Sequence, residues 1–213
     1  MFCGVDEAGR GSVMGPLVVA AVYVEVDDDL RFIGVKDSKK LTPKKRSQMY
    51  DEIIDSVEGY SVKVISAEEI DSLRERMSLN EVELNAFVDV VSKMPVSRVY
   101  ADCPDVNPMS FKTSMTTKLR NIEVIAEHKA DDRYPVVSAA SIIAKVTRDR
   151  IIEDISAEFG ENIGSGYPSD TVTTDFIEKW IKENGRSPKH TRTSWETVKR
   201  IQSRCSVRKI TDW

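Results

Sequence analysis

The sequence predicts an α/β or α+β protein, one sheet covered by helices, with a helical region at its C-terminal end. Three observations predict it. Two strand-like segments, Phe2–Glu7 and Leu17–Val26, come first and lie close together. Later strand patterns alternate with helical ones. Residues 169–213 hold no strand pattern.

Each element has a local cause. Phe2–Glu7 reads as a strand that stops before the glycine-rich turn GRGSVMGP. Leu17–Val26 is apolar and rich in β-branched residues, which suits a buried strand. Asp27-Asp28-Asp29 has turn chemistry. Thr42-Pro43 forms an N-cap and first-turn pair that opens a helix to about Val57. Tyr60–Ser66 alternates as a strand does, and helical spacing follows over Ala67–Arg76 and Leu79–Met94. Val96–Ala101 reads as a short strand, Pro108–Leu119 as a helix and Ile122–Glu127 as a strand. A long helix spans Pro135–Phe159. After the loop GENIGSGYPSD come helical patterns at Thr171–Asn184 and Ser194–Arg204. Residues 1–168 are expected to form the sheet domain, and residues 169–213 a helical extension with a basic surface.

Composition narrows the class. A chain of 213 residues with 40% hydrophobic and 31% charged residues is ordinary for a soluble globular protein. No charge-free apolar run reaches the ~18–20 residues of a membrane helix, and no basic region followed by an apolar one reads as a signal peptide. Cys3, Cys103 and Cys205 are odd in number and far apart, against a disulfide framework or a structural zinc site. A cytoplasmic monomer is expected. The net charge of −4 hides an asymmetry: residues 185–213 carry eight Lys/Arg against Glu196 and Asp212, a net +6, which leaves −10 for residues 1–184. A second basic run lies at 36–46. An acidic body with basic patches suits a protein that holds cations in one place and phosphates in another, although a solvated charged surface has the same composition.

Several acids stand where strands end: Asp6 and Glu7 after the first, Asp102 after SRVYAD, and Asp131 and Asp132 shortly after IEVIAEH. Sheet proteins build sites at such ends. Carboxylates gathered there repel one another unless a cation compensates them, and an all-oxygen ligand set selects hard ions such as Mg²⁺ or Mn²⁺. One difficulty is geometric. Neighbouring strand residues point to opposite faces, so Asp6 and Glu7 do not both aim at one ion from a regular strand. Either the strand has ended at Glu7, or Glu7 acts through its backbone carbonyl or a water. Spacing alone does not separate Asp131 from Asp132.

The segment DEAGRGSVMGPLVVAAV (6–22) strongly resembles ribonuclease HII, most closely the archaeal type. The likeness continues in order through DSKKLT (37–42), YADCPDVN (100–107), HKADDRYPVVSAASIIAKVTRDR (128–150), GSGYPSD (164–170) and RTSW (192–195). It implies a ribonuclease H-like fold, with a mixed five-stranded sheet flanked by helices and a C-terminal helical extension. It also implies a two-metal endonuclease that cuts the RNA strand of RNA–DNA hybrids. Cutting is further expected 5′ of a single ribonucleotide embedded in duplex DNA, leaving 3′-hydroxyl and 5′-phosphate ends. The family's metal-binding and catalytic acids fall on Asp6, Glu7, Asp102 and Asp131. Its substrate contacts fall on Gly9, Arg10 and Gly11, on Lys39, and on Tyr167.

These assignments make chemical sense. Two glycines let backbone approach a ligand closely, and the 2′-hydroxyl is what separates RNA from DNA at one position. A phenol such as that of Tyr167 can donate to that hydroxyl. Lys145 and Arg148, three apart on the long helix, are read as contacting phosphates or pairing with Asp149 and Glu153. His128 is weighed as a neighbour of the metal ligands, and Ala139, Ala140, Ser141 and Ala144 as small-residue packing. The tail RKITDW places Ile210 and Trp213 on one face of a helical turn, like a shortened sliding-clamp-binding motif that lacks its usual glutamine. Two other functions fit the fold less well. A non-catalytic hybrid binder gains nothing from four carboxylates near phosphate. A nuclease for branched DNA has no use for a ribose-reading loop.

Overall fold

The computed structural model describes residues 1–35 and 42–211. Lys39, with Lys36 and Lys40, and Trp213 lie outside the described residues. The chain divides into two compact units. The first comprises Met1–Ala8, Val18–Val64 and Ser78–Thr147; the second comprises Gly9–Leu17, Ile65–Met77 and Arg148–Trp213.

The first unit is built on the expected mixed five-stranded sheet. Its strands are β1 (Phe2–Ala8), β2 (Leu17–Val24), β3 (Gly59–Ile65), β4 (Arg98–Asp102) and β5 (Glu123–Glu127), in the order β3-β2-β1-β4-β5. β1 runs antiparallel to β2 and parallel to β4, and β4 runs parallel to β5. β2 is buried along almost its whole length, as its unbroken apolar sequence requires. The parallel register pairs Val5 with Ala101. One step further along both strands stand Asp6 and Asp102, so strand pairing itself brings two acids together.

The helices of this unit are α1 (Asp28–Ile33), α2 (Pro43–Ser56), α4 (Leu79–Val91), α5 (Pro108–Lys118) and α6 (Ala130–Arg133); α7 (Pro135–Phe159) begins in it. Thr42 caps α2, and Ser78 closes a capping box with Glu81 on α4, so sequence and structure agree on both starts. Phe87 of α4 meets Phe111 of α5 edge to face at 5.7 Å, in the geometry aromatic quadrupoles prefer. On α7 the buried Ala139, Ala140 and Ala144 form the small-residue face expected of them. The closest approach is at Gly4 of β1. A Cβ there would run into the main-chain atoms of Val136 and Val137 at the start of α7.

The second unit contains α3 (Ala67–Leu73), the rest of α7, α8 (Thr171–Asn184) and α9 (Glu196–Thr211). Its core joins Val13 and Met14 to Ile152, Ile155, Ile163, Phe176, Ile177, Val198 and Ile201, with Phe159, Trp180 and Trp195 packed around them. The loop 9–17 thus belongs to this core through two apolar side chains, although it follows β1 directly. Among the described residues, no helix is long and apolar enough to cross a membrane.

Three local expectations change. The aspartate run at 27–29 opens α1 instead of a turn: Asp28 and Asp29 fill the first helical turn, where carboxylates oppose the helix dipole, and Asp27 pairs with Arg31 at 3.0 Å. A short helix, α6, occupies what reads as a loop before Pro135. The last helix starts at Glu196, because Asp71 accepts hydrogen bonds from the amides and hydroxyls of Thr193 and Ser194 and holds them in a turn.

The Gly4 contact is testable. Gly4→Ala should lower unfolding free energy by about 1–3 kcal/mol in urea titrations, the usual range for overpacking a close backbone contact. Gly11→Ala, where a new Cβ meets open space, should change it by less than about 0.5 kcal/mol.

Candidate active site

Asp6, Asp102 and Asp131 each bring a carboxylate oxygen to one place, all within 4.8 Å of one another. Asp6 and Asp131 are buried and Asp102 is half-buried. Different elements deliver them. Asp6 sits in β1 and Asp102 ends β4, while Asp131 lies in the first turn of α6. Lys129 precedes that helix in the left-handed region (φ 57°), turning the chain sharply enough for Ala130 to donate its amide to Asp102 Oδ1 at 3.0 Å. The Ser138 hydroxyl on α7 donates to the carbonyl of Asp131, tying α6 to the long helix. Asp131 rather than Asp132 joins the cluster, and Asp132 is exposed.

The electrostatics are those of uncompensated charge. Burial pushes the Asp6 carboxyl up to about 7, and the negative charges of Asp102 and Asp131 push the same way. Hydrogen bonds from the Ser141 side chain and the Glu7 amide, the latter at 2.7 Å, oppose the rise without cancelling it. Glu7 is raised well above the ordinary range, first by burial and then by the charges of Asp6 and Glu83.

Glu7 stands apart from the other three. β1 continues through Ala8, so the strand has not ended at the acid pair, and the Glu7 carboxylate is not among the clustered oxygens. Its Oε2 is buried and has no hydrogen-bond partner among the described residues. Glu83 of α4, which is fully buried, adds its charge to the environment of Glu7.

The donor set suits a hard divalent cation. Every candidate atom is a carboxylate oxygen. The 4.8 Å spread is one that ligands at about 2.0–2.6 Å from a single ion can span. A cation would also relieve the repulsion that raises Asp6. Asp6, Asp102 and Asp131 are the residues placed to hold it, and Glu7, with its unsatisfied oxygen, flanks them.

Among the described residues, the remaining expected ones fall in the second unit or carry other roles. Gly9 has φ 89° and donates its amide to the Tyr167 hydroxyl at 3.1 Å. Arg10 is half-buried and Gly11 exposed. Arg148, read from sequence as a phosphate contact or a partner of Asp149, is instead 1% exposed and hydrogen-bonded to main-chain carbonyls. Its place on the buried face of α7 decides this. His128 contacts the Cys103 carbonyl through Nδ1 at 3.2 Å. His190 lies beside Glu158 at 2.9 Å and its amide binds Glu68.

Sequence reading missed Glu83 and took Ser141 for small-residue packing, whereas its side chain hydrogen-bonds Asp6. Both carried a signal. Glu83 lies at i relative to the buried Phe87 (i+4) and Val90 (i+7), on an apolar helix face. Ser141 follows Val137 by one turn on the face of α7 turned to the sheet.

Similarity to known proteins points in one direction. A family model described as Ribonuclease HII matches residues 3–198. Ribonuclease HII from Thermococcus sibiricus is 44% identical over 211 residues, covering 97% of this chain and 93% of that protein. The crystal structure of ribonuclease H2 from Pyrococcus horikoshii OT3 superposes with a TM-score of 0.90 at 43% identity, covering 96% of this chain and 98% of that one. The structure of the PCNA:RNase HII complex from Archaeoglobus fulgidus gives 0.89 at 40% identity, covering 95% and 97%.

The cluster predicts a pH response of the metal-free protein. A free aspartate titrates near ~3.9, and the folded value for Asp6 is about 7. A raised carboxyl favours the folded state when protonated, so its stabilisation is complete below about 3.9 and lost as pH rises through about 7. Thermal melts of chelator-treated protein should therefore fall between about pH 4 and pH 7, Asp6→Asn should flatten the slope, and Mg²⁺ or Mn²⁺ should suppress it. A slope that Asp6→Asn leaves unchanged would contradict the electrostatics described.

Proposed function

The chain belongs to the ribonuclease HII family and is an endoribonuclease of the ribonuclease H type; from that premise we propose that it hydrolyses the RNA strand of RNA–DNA hybrids and also cuts 5′ of single ribonucleotides embedded in duplex DNA. Cleavage leaves a 3′-hydroxyl and a 5′-phosphate. The observation that carries the proposal is the convergence of Asp6, Asp102 and Asp131 on one buried, oxygen-only cluster.

In this reading the three aspartates, flanked by Glu7, hold two Mg²⁺ or Mn²⁺ ions with substrate present. Such ions, when bound, lower the pKa of a coordinated water and stabilise charge on the leaving oxygen. The chain's own work is positional. Ser141 and the Glu7 amide orient Asp6, and the amide of Ala130 orients Asp102. Buried carboxylates set in this way need little reorganisation as charge develops.

Recognition of ribose falls to the loop that follows β1. The Tyr167 hydroxyl already accepts the Gly9 amide, so its proton is available for an outside acceptor, and a 2′-hydroxyl is such an acceptor. Gly9, Arg10 and Gly11 supply close backbone around that point. Lys39, together with the basic C-terminal stretch, contributes phosphate contacts.

Mapping cleavage of a duplex that carries one ribonucleotide tests the activity. With Mg²⁺ or Mn²⁺ the expected cut lies 5′ of the ribonucleotide, and Asp6→Asn should lower the rate by at least about a hundredfold. Tyr167→Phe should lower it by about tenfold, the worth of one positioned hydrogen bond, with metal affinity unchanged. No cleavage, or cleavage indifferent to Asp6→Asn, would refute the proposal.

We propose also that the C-terminal tail binds a sliding clamp through Ile210 and Trp213. The similar Archaeoglobus fulgidus structure is of a PCNA:RNase HII complex. A chain ending at Arg208 should lose clamp retention in a pull-down while keeping its nuclease activity. Equal retention would remove the tail from the interface.

A further inference from the structure

We infer that Arg148 and Arg192 are positioning residues whose buried guanidinium groups hold the ribose-reading loop and Tyr167 in working posture. The inference rests on the reading of Gly9–Gly11 and Tyr167 given above.

The loop 9–17 is held only in part by bonds of its own, from the Ser12 amide and hydroxyl to Gly9 O. Gly9 and Gly15 adopt φ of 89° and 82°, and Gly166 in the facing loop adopts 82°. These turns leave several main-chain carbonyls without strand or helix partners, and two arginines take them up. Arg148 donates from Nε to Pro16 O at 3.3 Å and from Nη2 to Met14 O at 3.2 Å. Its Nη1 and Nη2 both reach Ser165 O at 3.1 Å. Arg192 donates from Nε to Gly15 O at 3.1 Å and from Nη1 to Arg10 O at 2.9 Å. Four carbonyls of the loop and one of the tyrosine segment are thus held by two side chains that are 1% and 0% exposed.

The guanidinium of Arg148 also lies over the Tyr167 ring, 4.7 Å from its centroid. One side chain therefore fixes both ends of the Gly9–Tyr167 hydrogen bond: the loop that donates and the ring that accepts. The fit is tight. A Cβ on Gly9 or on Gly166 would collide with the Arg148 side chain, so the glycines and the arginine form a single arrangement. Arg192 is seated in turn against the Trp195 ring at 5.0 Å.

Burying a guanidinium is costly unless its fork is hydrogen-bonded. Main-chain carbonyls meet that need at all three nitrogens of Arg148 and at Nε and Nη1 of Arg192 only if the loop keeps this conformation, so arginine and loop enforce each other. Lysine keeps the charge but has no planar fork, which makes Arg→Lys the informative change.

The decisive experiment is a double-mutant cycle on the single-ribonucleotide duplex, with Arg148→Lys and Tyr167→Phe alone and combined. Arg148→Lys should lower kcat by about tenfold or more with KM within about twofold, because geometry and not affinity is lost. In the Tyr167→Phe background the same change should cost less than about twofold, since Arg148 acts through the tyrosine and its loop. Losses that multiply would overturn the inference and leave Arg148 a general structural residue. A Tyr167→Phe enzyme as fast as wild type would overturn the ribose reading, and this inference with it. Amide hydrogen exchange gives a second decision without catalysis. In Arg148→Lys and Arg192→Lys, the amides of residues 9–17 should exchange faster relative to those of β1 and β2. Unchanged exchange in that loop would also overturn the inference.

Discussion

Like charges kept out of water are the constraint around which this protein is arranged. Three carboxylates, two buried and one half-buried, converge within 4.8 Å. Parallel pairing of β1 with β4 sets Asp6 beside Asp102. The left-handed turn at Lys129 then folds the chain back to add Asp131. The cost appears in the raised Asp6 and Glu7 carboxyls. A cation held there would relieve that repulsion.

The second unit handles buried charge in the opposite way. Arg148 and Arg192 are as deeply buried as Asp6, but the whole fork of Arg148, and Nε and Nη1 of Arg192, are spent on main-chain oxygens of loops rich in positive-φ glycine. One unit stores repulsion that an ion can relieve, and the other stores order in a loop with little regular structure of its own. α7 contributes to both, with Ser141 on Asp6 and, seven residues later, Arg148.

Much of this was legible in the sequence because it depended on local rules. The apolar strand segments, the capping residue Thr42 and the limits of α7 and α8 follow from period and propensity. The clustered acids were legible because Asp102 ends a strand, Asp6 lies near the end of one and Asp131 follows one closely. Residues whose roles come from tertiary placement were not. Glu83 reads as a surface acid until its helix face is known to be buried, and Arg148 reads as a phosphate contact for the same reason. The aspartates at 27–29 fit a turn and a helix start equally well, and only the pairing of Asp27 with Arg31 distinguishes them. Asp131 and Asp132 were likewise inseparable by spacing, since one faces the cluster and the other faces solvent.

The contact at Gly4 has a wider meaning. There β1 and the start of α7 meet main chain to main chain, with no side chain between them. A contact of that kind has no rotamers, so it cannot creep as side chains jump between conformations. Two residues further along β1 stands Asp6, and one turn into α7 stands Ser138, which secures Asp131. The distance between two of the acids is therefore calibrated against a stop made of peptide bonds. Substitutions elsewhere in the core can alter how firmly the protein folds, yet they leave this gauge largely untouched.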